Sequence, residues 1–110
     1  MATQEASGTV TITTVGTEQA VATITTAKAF QLLVDISALA PGEYVQVNLK
    51  RKVLSGGASG YVHKRIFSWL DALLDPVIAF EPILSTSELD VTMNQLTGIA
   101  RAFPWAVETP

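Results

Sequence analysis

Apolar and polar residues alternate with a period of two in nearly every segment of this chain, and a sustained 3.6-residue period is almost absent. Alternation of this kind lines one face of a pleated strand, so the pattern predicts an all-β fold. In Thr9 to Val15, Val10 and Ile12 stand against Thr9, Thr11 and Thr13, residue types that suit a half-buried pleated surface. Gln19 to Thr26 alternates again, and the short link containing Gly16-Thr17-Glu18 predicts a hairpin between the two runs. Phe30, Leu32, Val34 and Ile36 alternate with Gln31, Leu33 and Asp35 as a core strand, which Ser37 to Gly42 ends as a tight corner containing Pro41 and Gly42.

Glu43 to Leu54 sets Val45, Val47, Leu49 and Val53 on one face and Gln46, Asn48, Lys50 and Lys52 on the other. Arg51 falls on the apolar face, which places it near the end of the buried run with its guanidinium in solvent or paired. The glycine-rich Ser55 to Gly60 predicts a hairpin tip, with Tyr61 to Leu70 as the return strand and Tyr61, His63, Arg65, Phe67 and Trp69 on one face. Trp69, Leu70, Leu73, Leu74 and Val77 also stripe a short helix, so Asp71 to Asp75 has two readings, both ended by Pro76. Val77 to Phe80, Leu89 to Leu96 and Arg101 to Glu108 complete about eight strands, a single antiparallel β-sandwich of jelly-roll or immunoglobulin-like topology.

A chain of 110 residues is one domain, assigned to residues 9–110 and preceded by a polar arm at 1–8. The arm has no large apolar side chain from Ala2 to Gly8, so Thr3 and Glu5 are expected to contact a neighbouring chain. It carries Glu5 and no apolar core, so no export signal is expected, and no window approaches the ~18 apolar residues of a membrane span. No cysteine is present, which excludes thiol catalysis and thiolate metal sites and fits synthesis in a reducing cytosol. With 48% hydrophobic and 15% charged residues, the chain is apolar for a small monomer, and homo-oligomeric or other association is expected.

Catalytic side chains are few. His63 is the single histidine, without a signposted hydroxyl and carboxylate for a triad or co-ligands for a metal. Asp71 with Asp75, and Glu88 with Asp90, admit a glycosidase or calcium reading, but acids at turn boundaries more often cap helices or accept backbone bonds. Gly56, Gly57 and Gly60 lack the lysine and following helix of a phosphate loop. The expectation is a non-enzyme with no catalytic residue, no cofactor and no metal.

Charge is more informative. Lys50, Arg51, Lys52, Lys64 and Arg65 are five of the seven basic residues, whereas Arg101 is the only base among six acids from Asp71 onward. This polarity predicts protein contacts through Lys50, Lys52, Lys64 and Arg65, and the net charge of −3 argues against nucleic acid and anionic membrane. An alternative role is carbohydrate binding on an aromatic platform of Trp69, Trp105, Tyr61 and Phe103, although alternate aromatics also suit a core.

Two stretches carry a resemblance: Phe30-Gln-Leu-Leu-Val-Asp-Ile-Ser-Ala-Leu-Ala-Pro-Gly-Glu43, and Asp90-Val-Thr-Met-Asn-Gln-Leu-Thr-Gly-Ile-Ala-Arg-Ala-Phe-Pro-Trp105. A strand ending Val-Asp-x-Ser-x-Leu before a Gly-Glu corner, with a later Gln-x-x-Gly, Arg and Phe-Pro-Trp, resembles small β-sandwich structural proteins of tailed-bacteriophage virions. The likeness spans about residues 28–107 and its motifs are structural. It implies a virion component made in the bacterial host cytoplasm, either a capsid decoration (cement) protein or a head-tail or neck accessory subunit. Its partners would be the major capsid protein or other virion proteins.

Overall fold

The alternating segments become nine strands and one short helix in a computed structural model that describes residues 3–25, 28–52, 59–85 and 88–109. They are β1 (Thr3–Thr11), β2 (Gln19–Ile24), β3 (Lys28–Asp35), β4 (Tyr44–Lys52), β5 (Ser59–Ser68), α1 (Trp69–Leu74), β6 (Val77–Ala79), β7 (Ile83–Ser85), β8 (Leu89–Gln95) and β9 (Ala102–Thr109). One sheet runs β1-β9-β3-β6, with β7 also on β3, and the other runs β2-β8-β4-β5. Val53, Leu54, Gly56 and Gly57 of the expected hairpin lie outside the described residues, as do Met1, Ala2 and Thr26.

Pairing is nested. β4 pairs with β5, β3 with β6, β2 with β8 and β1 with β9, all antiparallel, and successive pairs fall alternately in the two sheets. The chain thus doubles back between β4 and β5 and wraps as a ribbon, the pairing of a jelly roll rather than the ABED and CFG grouping of an immunoglobulin domain. The sandwich interior collects Phe30, Leu32 and Val34 of β3 and Phe103 and Val107 of β9 against Val45, Val47 and Leu49 of β4 and Val91 and Met93 of β8. Arg51, just beyond this run, is exposed. Phe103 has no accessible surface, so Phe103→Ala removes a full ring from a closed layer and is expected to cost about 3–5 kcal/mol. Denaturant unfolding measures it, and a loss below ~1 kcal/mol would mean that the two inner faces do not interlock.

The expected β1–β2 hairpin does not form. Ile12 N donates to Arg101 O on the β9 side and Gly16 N to Gln95 O on the β8 side, so the Ile12–Glu18 link crosses from one sheet to the other. Periodicity identifies a strand's buried face but not its partner, and a link longer than the usual two to five residues leaves the strands free to part. Gly16, at φ 90°, supplies the left-handed turn, and Gln19 closes the link through Thr13 N (3.1 Å) and Thr11 O (2.8 Å).

The boundary at residue 8 is also corrected. Residues 3–8 belong to β1 and pair along β9 from Thr3↔Thr109 to Gly8↔Trp105, with a register shift between Gln4 and Ala6. A polar segment without large apolar side chains still satisfies its backbone when the same chain offers a strand of matching length. The segment Ile83–Ser85, which lies between the expected strands Val77 to Phe80 and Leu89 to Leu96, forms a further strand, β7, against Lys28–Phe30. Three residues are too few for a period to register.

Of the two readings after Ser68, the helix is correct. Asp71 Oδ2 accepts from Ser68 N (2.7 Å) and Ser68 Oγ (3.2 Å), closing the first turn, and Pro76 follows the C-terminal Asp75. Trp69 therefore leaves the strand, and with Ala72 it packs on the core while Leu70, Leu73 and Leu74 face solvent.

Candidate interaction surfaces

The basic hairpin divides between two faces. A register shift between Leu49 and Lys50 pairs Leu49 with His63 but Lys50 with Tyr61, so Val62 is an inserted bulge residue. The bulge turns Tyr61 onto the face of Lys50, which corrects the expectation that Tyr61 and His63 share a face. Lys50 Nζ and Lys64 Nζ each lie 4.8 Å from the Tyr61 ring centroid. On the inner face, His63 stacks on Phe80 at 6.1 Å, and the Arg65 guanidinium lies over Phe67 (5.2 Å) and Phe80 (5.6 Å).

Two of the expected partner-binding cations are matched within the fold. Lys50 Nζ is 2.9 Å from Glu18 Oε1, and Lys52 Nζ is 2.9 Å from Glu88 Oε2. Glu18 Oε2 also accepts from Asn48 Nδ2 (2.9 Å), Thr92 Oγ1 (3.0 Å) and Tyr61 OH (3.3 Å). The Lys50 hydrogen bond, above the others, holds the Glu18 carboxyl below its ordinary range. Among the described residues no carboxylate pairs with Lys64 or Arg65. Thr3 and Glu5 lie on β1, in the other sheet. The six residues singled out in the sequence thus do not form one surface.

The two stretches that carry the virion resemblance meet in one corner. Glu43, 5% exposed, accepts from Ala40 N (2.8 Å), Ile99 N (3.0 Å), Arg101 Nε (3.0 Å) and Arg101 Nη2 (3.1 Å). Gln95 Nε2 donates to Thr97 O (3.0 Å) and Ile99 O (2.6 Å), its Oε1 accepts from Arg101 N (2.9 Å), and Thr97 Oγ1 donates to Gly42 O (2.9 Å). The Arg101 hydrogen bonds first, then the two backbone N–H groups, lower the Glu43 carboxyl to about 2 against the opposing effect of burial. A carboxylate so engaged holds two loops together and has no spare lone pair for a substrate. The Gln-x-x-Gly and Gly-Glu motifs are the parts of this lock.

Of the four acids expected to cap or accept backbone bonds, Asp71 and Asp75 do so, Asp75 Oδ1 accepting from Val77 N (3.2 Å). Glu88 instead pairs with Lys52, and Asp90 Oδ1 accepts from the Thr23 hydroxyl on β2 (2.9 Å). Asp35 Oδ1 accepts from Ser37 N (2.9 Å). Of the proposed aromatic platform, Phe103 is fully buried, Trp105 packs on the core beside Gly8, and Trp69 packs on it at the start of α1. Tyr61 alone of the four is largely exposed.

A surface that charge and aromatic patterning missed is the end of the sandwich built by α1 and its neighbouring loops. Leu74 is 87% exposed, Ile99 71%, Leu70 63% and Leu73 61%. Tyr44, Ile66 and Val77 add exposed apolar area at the same ends of β4, β5 and β6. A groove of about 240 Å³ opens beside them between Pro41–Tyr44 and Ser68–Leu70. The signal was present in the sequence as the Leu70, Leu73, Leu74 and Val77 stripe, which marks an amphipathic turn but not which side is covered. No protein-family model, curated protein or solved structure matches this chain.

Proposed function

We propose that the protein is a non-enzymatic structural subunit of a tailed-phage virion, a capsid decoration or head-tail accessory protein that binds the major capsid protein or other virion proteins. The single observation that carries the docking part of this reading is the apolar end around Leu70, Leu73, Leu74 and Ile99. Monomers seldom leave large apolar side chains grouped in this way, and such groups mark protein contacts. The virion assignment rests on the resemblance, whose two stretches join in the Glu43–Arg101 corner. Jelly rolls serve in viral capsids and in lectins alike, so the fold does not choose between those roles. The glycan-binding alternative has weaker support, because Trp69 and Trp105 pack on the core.

Quantitative mass spectrometry of purified virions from a phage encoding this chain tests the proposal. The protein is expected at a stoichiometry set by the particle's symmetry, with cryo-EM density at a fixed site. Its absence from mature particles would overturn the proposal.

A further inference from the structure

We propose that the apolar end of the sandwich receives a protein segment whose own apolar side chains are bordered by lysine or arginine. The inference rests on the reading that the chain docks through this end, and it specifies the chemistry of what docks there. Leu70 and Leu74 are one helical turn apart on α1, both in solvent, and Leu70 lines a groove of about 240 Å³ that can receive an aliphatic or aromatic anchor.

Charge selects the occupant. Asp35, Asp71 and Asp75 border this end, and each carboxylate meets backbone N–H or hydroxyl groups but, among the described residues, no cation. Arg101, the cation placed there, is held by Glu43. Lys64 and Arg65 sit midway along β5, opposite Asn48 and Val47. A second copy docked through the same end would bring two acidic rims together, whereas a basic rim around an apolar centre complements both features.

Two short amphipathic helical peptides of the same pattern provide the probe, one of leucine and lysine and the other of leucine and glutamate. Titrated by calorimetry against the full chain, the leucine-lysine peptide is expected to bind and the leucine-glutamate peptide to bind at least about tenfold more weakly. The Leu70→Ser/Leu74→Ser variant should lose roughly tenfold in affinity for the leucine-lysine peptide. Asp75→Lys should lose severalfold and show a smaller salt dependence. Leu74→Ser alone, at the most exposed of these positions, supplies the test if the double variant does not hold the wild-type melting temperature.

Equal affinity of the serine variants, or of the two peptides, would overturn the proposal. So would concentration-dependent self-association of the wild-type chain that the same serine substitutions abolish, because a second copy would then be the occupant. None of these failures removes the protein from the virion, which particle mass spectrometry decides separately.

Discussion

Gly98→Ala is expected to destabilise the domain by on the order of 3–5 kcal/mol, a large share of the ~5–15 kcal/mol that separates folded from unfolded small domains. Two causes act together. Gly98 lies at φ 90°, a left-handed conformation that costs an L-residue about 1–2 kcal/mol. A Cβ there would also run into the Glu43 carboxylate, forcing it off the donors that hold it. The control is Gly16→Ala, at the same φ of 90° but with nothing within 4 Å of the new Cβ. That variant is expected to lose only the conformational part, about 1–2 kcal/mol. Urea unfolding of both proteins separates the contributions, and equal losses would show that Glu43 moves aside freely.

Arg101→Ala is also expected to be strongly destabilising near neutral pH, because it leaves the buried Glu43 carboxylate without its counter-charge. The pH dependence identifies the cause. In the wild type, the Glu43 carboxyl is lowered from 4.5 to about 2, so its contribution is fully present above the unfolded-state value and is lost as pH falls through about 2. A shift of that size corresponds to about 3 kcal/mol. Removing Arg101 raises the folded-state pKa, so the variant should lose much less stability than the wild type on acidification from pH 6 to pH 2. Its penalty relative to wild type should accordingly shrink at low pH. A penalty independent of pH would instead locate the role of Arg101 in packing of its stem.

These predictions concern a corner whose parts were all visible in the sequence as separate motifs. Gly42-Glu43 read as a corner, Gln95-x-x-Gly98 as a motif of the resemblance and Arg101 as the only base in an acidic half. Their convergence was not legible, since Glu43 and Arg101 are 58 positions apart and no local preference links them. The basic hairpin shows the reverse. Lys50, Lys52 and Lys64 do share a face, as alternation required, yet two of the three are ion-paired to Glu18 and Glu88, which come from the β1–β2 and β7–β8 connections. Clustering in sequence measured where the charge lies, not whether a neighbour had already matched it.

The alternating pattern by itself determined that the chain is all-β, that Phe30, Leu32, Val34, Val45, Val47 and Leu49 face inward, and that β4 and β5 pair. These are local properties, because a pleated strand puts every second side chain on one face and a short connection leaves adjacent strands little choice. Tertiary structure alone decided that β1 pairs with β9 instead of β2, that residues 3–8 belong to the sheet, and that Tyr61 changes faces at a bulge. It also decided that the leucines of α1 face solvent. Each of those outcomes depends on backbone hydrogen bonds and buried area shared between segments far apart in the chain, and a periodicity carries no information about which distant strand will supply them.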